Sequence, residues 1–349
     1  MNPIRIAFFD AKSYDEESFV KANKASNIQF TFIPTRLSVE STLLAGGYDG
    51  ICIFVNDTVS APVADTLYAK GIRLIALRCA GYNNVDLKSV YQRIHVVRVP
   101  AYSPHAVAEH AVALMLSLNR KTHRAYFRTR DGNFTLQGLM GFDMYGKTAG
   151  IIGTGNIGRI TADILKGFGM NVLVHDRFPN REWAQSRGIR YVELPELYSL
   201  SDIISLHCPL TPQTTYMINR EAIYAMKSGV LLINTGRGKL IDTKALIEGL
   251  KTAKIGGAGL DVYEEESEYF FEDHSTTPIS DDTLARLLSF PNVLVTSHQG
   301  FFTREALDTI ATTTLNNIQA FFQDKPLENE ICYKCDSAVC RKKALGRCF

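Results

Sequence analysis

A strand-like AGII leads into Gly153-Thr154-Gly155-Asn156-Ile157-Gly158. The first glycine permits a tight turn, the second lets backbone approach a pyrophosphate, and the third lets helix and strand pack closely. A helix opening there adds unpaired N–H groups and a positive dipole end. Asp176 lies 18 residues beyond Gly158, near the ~20-residue spacing of a carboxylate that holds an adenosine ribose. Such a carboxylate accepts from a 2′-hydroxyl and repels a 2′-phosphate, although the neighbouring Arg177 weakens the exclusion. The bland alternative is a structural Gly-rich turn with a solvent-facing Asp. Together these features point to a dinucleotide, NAD rather than its phosphate.

Further chemistry-bearing residues fall just after apolar, strand-like runs: His207, the stretch 234–238 with Arg237, Asp261 and His298. In open α/β sheets ligands bind beyond the carboxyl ends of the strands. Arginine suits two-pronged capture of a substrate carboxylate. Glu266, five residues after Asp261, could charge and orient a histidine. Spacing alone leaves His207 and His298 equal as the acid–base. Each also has a plainer reading: a solvated arginine, an exposed acidic loop of Glu264, Glu265, Glu266 and Glu268, and structural histidines. His105, Glu109 and His110 read HxxxEH, which fits no zincin spacing, so helix packing is the expectation and no metal site is assigned. No GxSxG nucleophile turn is present.

These residues need a scaffold that presents strand ends. IRIAFFD (4–10), QFTFIP (29–34), GICIFV (50–55), RLIALRC (73–79) and HVVRV (95–99) are rich in β-branched and aromatic residues. Polar stretches such as 14–25 and 62–70 between them suit short helices. A second series comprises TAGIIG (148–153), NVLVHD (171–176), DIISLHC (202–208), GVLLINT (229–235), IGGAGLD (255–261) and NVLVTSH (292–298). Strands alternating with helices imply an α/β protein with parallel sheets covered on both faces. Residues 103–120 read as a buried helix with Ser103 as N-cap and Pro104 in its first turn. Residues 121–146 read as an irregular basic arm, and 303–322 as a last amphipathic helix.

A chain of 349 residues with 46% hydrophobic and 21% charged residues is ordinary for a globular protein of two domains. Its net charge of +2 gives no field for nucleic acid. No apolar stretch is long enough to span a membrane or to serve as a signal peptide. An odd count of seven cysteines, with Cys52, Cys79 and Cys208 scattered in apolar runs, does not resemble a secreted disulfide framework, which leads to a cytoplasmic expectation.

The segments LRCAGYNNVDL (77–87), VPAYSPHAVAEHAVALMLSLNR (99–120), GFDMYGKTAGIIGTGNIG (141–158), SLHCPLTP (205–212), INTGRGKLID (233–242), GLDVYEEE (259–266) and SHQGFFT (297–303) resemble the D-isomer-specific 2-hydroxyacid dehydrogenases, most of all their fermentative D-lactate branch. The resemblance runs to about residue 330. It implies a Rossmann-type coenzyme domain (103–299) inserted into a flavodoxin-like substrate domain (1–102 and 300–330). The implied reaction is NADH-dependent reduction of pyruvate to D-lactate by a homodimer or dimer-based oligomer. Arg237 would clamp the carboxylate, His298 would protonate the keto oxygen, and Glu266 would keep His298 charged. Gly153, Gly155, Asn156, Ile157, Gly158, Asp176, Cys208, Pro209, Thr214, Thr235, Gly236, Arg237 and Asp261 would line the coenzyme, with His207 on the same side. Cys79, Ala80, Gly81 and Tyr102 would complete the substrate pocket. Relatives acting on glyoxylate, hydroxypyruvate or phosphoglycerate, and NADH-sensing corepressors of the same fold, are the alternatives.

Residues 331–349 have no counterpart in that pattern. They carry five cations against Asp336 alone, and also Cys332, Cys335, Cys340 and Cys348. Four thiols could suggest zinc, but only the first pair has a familiar spacing, and little apolar content is available to fold around. The expectation is a disordered tail, with removal of residues 333–349 leaving activity and stability nearly unchanged.

Overall fold

The structure, a computed structural model, describes residues 3–265, 269–335, 337 and 339–349. The described strands are β1 (Ile4–Phe8), β2 (Ile28–Phe32), β3 (Gly50–Ile53), β4 (Leu74–Leu77), β5 (His95–Val97), β6 (Thr148–Ile152), β7 (Asn171–His175), β8 (Arg190–Tyr191), β9 (Ile203–Leu206), β10 (Val230–Asn234), β11 (Ile255–Leu260), β12 (Val293–Val295) and β13 (Glu330–Ile331). They form two sheets in two compact units, residues 1–103 with 302–349, and residues 104–301.

In the first unit the order is β13-β5-β4-β3-β1-β2, parallel except for β13. Without that edge it is the flavodoxin-like order 2-1-3-4-5. Strands β3 and β4 are buried along their whole length. They therefore read as unbroken apolar runs instead of alternating ones. The helix Arg304–Phe322, capped by the Thr303 hydroxyl, packs against this sheet through Ile310, Leu315 and Ile318.

The second unit has the order β12-β11-β10-β9-β6-β7-β8, with the described pairs parallel. The chain starts at β6, runs outward to β7 and β8, then returns to β9 on the opposite side. That reversal is the switch point of a Rossmann sheet. One face packs on the helix Pro104–Arg120 through Ala111, Leu114, Met115 and Leu118. The glycines of β11 permit this close seat: a Cβ at Gly259 would lie 3.1 Å from Leu114 and 3.2 Å from Leu118. The other face buries Leu197, Ile223, Leu246 and Leu287.

Two elements differ from expectation. The arm begins with a helix, Thr122–Arg130, of which no residue is buried; without an apolar face it has no period to read. The tail, expected to be disordered, carries packed elements among its described residues. β13 pairs antiparallel with β5, a short helix runs over Lys342–Leu345, and Cys348 is buried. The buried Glu330 carboxylate accepts the Cys348 N–H at 2.5 Å and meets His95 Nδ1 at 2.5 Å. Phe349 stacks on His95, centroids 4.3 Å apart. Polar contacts and a ring stack hold this segment, so a count of its apolar residues misses it.

Candidate active site

The second unit presents its polar residues along one carboxyl edge. After β6, Gly153 takes φ +97°, and a Cβ there would lie 2.5 Å from the Cys208 nitrogen. A Cβ at Gly158 would overlap the Gly153 carbonyl oxygen. Glycine is thus required at both positions by the strand–turn–helix contact. Gly155 faces open space and caps the helix Asn156–Gly167 without a side-chain hydrogen bond. The helix end is left available to an anion.

Asp176 follows β7. Its Oδ2 accepts the Thr154 N–H at 2.6 Å and the Thr154 hydroxyl at 3.0 Å, while Oδ1 accepts the Phe178 N–H at 2.8 Å. Burial alone would raise its pKa, but these hydrogen bonds to the charged form prevail and hold the carboxyl below its ordinary range. Thr154, also held by Tyr191 Oη at 2.8 Å, was missed in the sequence. Its place between two glycines of the turn was the available signal.

His207 follows β9 and hydrogen-bonds through Nε2 to Ser205 Oγ at 2.9 Å. One edge reaches solvent, yet the ring is enclosed enough that burial lowers its pKa to about 4. The adjacent Cys208 is pushed up to about 11, by burial foremost. Thr214 closes the turn after Pro209 by donating to the Pro209 carbonyl at 2.7 Å.

Beyond β10, the Asn234 side chain holds the turn at both ends. It accepts the Gly236 N–H at 3.0 Å and donates to the Arg237 carbonyl at 2.9 Å. The half-buried Arg237 guanidinium donates to the Gly236 carbonyl at 2.7 Å. Thr235 Oγ1 is buried with no hydrogen-bond partner among the described residues.

Asp261 follows β11 and is fully buried. Its carboxylate accepts from Thr296 Oγ1 at 2.5 Å, Gln299 N–H at 2.9 Å and Gly300 N–H at 2.8 Å, with His110 Nε2 at 3.2 Å. His110 thus ties the helix Pro104–Arg120 to this loop, while His105 and Glu109 are exposed. His298, within the loop after β12, is half-buried and takes φ +50°. Glu266 lies outside the described residues. Of its acidic neighbours, Glu264 accepts from the Thr243 N–H and Tyr216 hydroxyl, both at 2.8 Å, and Glu265 pairs with Lys239 at 3.4 Å.

The remaining candidates belong to the first unit. Cys79 is buried and its thiol donates to the Gly81 carbonyl at 3.3 Å. Arg98 donates to the Ala80 carbonyl at 2.7 Å, which fixes the turn after β4. Tyr102 is half-buried one residue from the end of this part of the unit.

Residues 112–300 match the family described as "D-isomer specific 2-hydroxyacid dehydrogenase, NAD binding domain". The chain is 49% identical over 329 residues to a D-lactate dehydrogenase of Escherichia coli K12, covering 94% of this chain and 100% of that one. The apo-structure of an Escherichia coli D-lactate dehydrogenase superposes with TM-score 0.87 at 48% identity, over 94% of this chain and 99% of the other. A structure described as the pyruvate reductase of Chlamydomonas reinhardtii gives TM-score 0.89 at 45% identity, with the same coverage. The chain belongs to the D-isomer-specific 2-hydroxyacid dehydrogenases. It is an NAD-dependent oxidoreductase of 2-hydroxy acids, with D-lactate dehydrogenases among its similar relatives.

The residues present fit the coenzyme. The cradle above Gly155 is open, the helix end behind it lacks a side-chain cap, and the Thr235 hydroxyl is buried with no partner among the described residues. No helix among the described residues is long and apolar enough to cross a membrane.

Proposed function

We propose that this chain reduces pyruvate to D-lactate with NADH, and that Arg237, His298 and Glu266 carry the reaction. The observation that supports this most is the spacing of three neighbouring parallel strands. Arg237, Asp261 and His298 follow the carboxyl ends of β10, β11 and β12. When bound, NADH supplies the hydride. Gly153, Gly155, Asn156, Ile157 and Gly158 would hold its pyrophosphate, and Asp176 its adenosine ribose. Cys208, Pro209, Thr214, Thr235, Gly236 and Asp261 would line the rest. Arg237 would bind the keto-acid carboxylate, with the 79–81 turn and Tyr102 completing recognition.

Negative charge grows on the keto oxygen during reduction, and an imidazolium there stabilises it and then gives up its proton. His298 is the better donor of the two candidates. His207, with a pKa near 4, is neutral at physiological pH. Glu266 would keep His298 charged. The enzyme would regenerate NAD during fermentation in the cytoplasm, where a buried thiol such as Cys52 stays reduced. A homodimer is part of the proposal. The arm exposes Phe134, Leu136 and Met140 at 76, 82 and 86%, apolar surface that a partner chain would cover.

The test is NADH oxidation with pyruvate, glyoxylate, hydroxypyruvate and oxaloacetate, with chiral analysis of the product. Pyruvate should give the highest kcat/KM, and the product should be the D-isomer. Preference for another keto acid would reassign the substrate. Coenzyme binding without turnover on any of them would favour a sensor.

A further inference from the structure

The tail brings four cysteines from one short stretch to one point. Cys332, Cys335, Cys340 and Cys348 have sulfur atoms all within 4.8 Å of one another. The Cys335–Cys332 separation is 3.7 Å, Cys335–Cys348 3.8 Å and Cys332–Cys340 4.0 Å. A disulfide needs about 2.05 Å between sulfurs, and all four cysteines are free. Tetrahedral zinc with thiolate bonds of about 2.3 Å sets sulfur–sulfur edges of about 3.8 Å, close to the three separations given above.

The backbone is arranged to suit such a centre. Cys332 and Cys335 form a turn in which the Cys335 N–H donates to the Cys332 carbonyl at 3.2 Å. The Cys332 N–H donates to the Cys335 sulfur at 3.1 Å. Cys340 precedes the helix Lys342–Leu345, and Gly346 at φ +74° turns the chain back so that Cys348 returns to the cluster. Cys332 and Cys348 are buried, while Cys340 and Cys335 are less so. Four thiolates around Zn²⁺ leave a charge of −2, and Lys334, Arg341, Lys342, Lys343 and Arg347 lie on the same segment. The segment has almost no apolar core, the circumstance in which small folded units rely on a metal.

We propose that Cys332, Cys335, Cys340 and Cys348 form a structural zinc site that fastens the C-terminal segment onto the first unit. Binding replaces the four thiol protons by one Zn²⁺, with no change of oxidation state. The four ligands are all protein sulfurs, so no position remains open for water, and the centre is structural. Its anchors in the unit are Glu330, His95 and the carbonyls of Phe321 and Lys325, which Arg347 reaches at 3.2 and 3.1 Å.

The test uses the full-length protein purified without chelator. Elemental analysis should find zinc equimolar with the chain, and Cys340→Ser and Cys335→Ser should each lose it. Exchange into cobalt(II) should give the intense visible absorption of a tetrahedral thiolate site. A strong chelator should lower Tm of the wild type and leave Tm of Cys340→Ser unmoved. Should the variants fail to fold, zinc content and the cobalt spectrum of the wild type still decide the matter. Wild-type protein grown with zinc yet metal-free, an iron-loaded centre, or an intact mass showing two disulfides would each overturn the assignment.

Discussion

The His298 N–H donates to the Asp261 carbonyl oxygen at 2.8 Å, while the Asp261 carboxylate gathers the Gln299 and Gly300 N–H groups just beyond. One buried acid thus holds the chain on both sides of a histidine that stands in the left-handed region at φ +50°. A non-glycine residue keeps such a conformation only where its surroundings enforce it. The resemblance implies that Asp261 lines the coenzyme; its described partners also fix the backbone on which His298 stands.

Asp261→Asn should therefore act through His298. The amide can accept at one oxygen only and turns an NH2 toward one of the two backbone donors. Loss of a charge-assisted hydrogen bond costs about 1.5–3 kcal/mol, so Tm should fall. The kcat should drop at least tenfold, with Kd for NADH changing less. Stopped-flow hydride transfer and NADH fluorescence separate the two. An unchanged kcat would mean that the loop does not need this acid.

In the proposed reading coenzyme choice would rest on Asp176. Its charge would stand where a 2′-phosphate lies, so NADH should be preferred to NADPH. Asp176→Ala should narrow or reverse the preference, because Arg177 remains. Its depressed pKa also adds stability above the ordinary Asp value, lost as pH falls through the lower folded value. The variant should thus show a flatter acid limb of Tm against pH. Equal use of both coenzymes by the wild type would contradict this reading of Asp176.

The long strands and the helices 104–120 and 304–322 were legible because burial writes itself into sequence as apolar runs and 3.6-residue periods. β8 and β13 were not, since two residues at a sheet edge carry no period. The glycine loop was legible because close backbone approach at Gly153 and Gly158 allows few residue types. The histidine choice was not: spacing set His207 and His298 level, and resemblance had to break the tie. The enclosure that neutralises His207 comes from neighbours distant in sequence. Zinc at the four cysteines was weighed and set aside on spacing, because the ligands close through the turn at Gly346, which spacing alone does not reveal.

His207 also makes a prediction about acid stability. Its folded pKa is lowered to about 4, against an ordinary value of 6.5. Its contribution is complete above the ordinary value and is lost as pH falls from there through the folded value, because the unfolded chain takes up the proton first. One such proton gives a slope of at most about 1.4 kcal/mol per pH unit. His207→Gln should lose less stability between neutral and mildly acid pH than the wild type does. Chemical denaturation across that range would show it; parallel curves would argue against an enclosed neutral imidazole.

The acid–base assignment is decided by comparing two histidines. His298→Ala should lower kcat by about 10²–10⁴-fold, the usual contribution of a positioned acid, while NADH binding stays nearly intact. His207→Ala should be milder and show mainly in coenzyme affinity. Glu266→Gln removes the negative charge proposed to favour imidazolium. Reduction of pyruvate should then fade at a lower pH than in the wild type, since the donor must carry its proton. Arg237→Lys keeps a charge but loses the fork that matches a carboxylate, so KM should rise and kcat should also fall. The pH profile of kcat/KM for each variant, with NADH titrations alongside, separates proton donation from coenzyme binding. If His207→Ala abolished turnover while His298→Ala stayed active, the two roles would have to be exchanged.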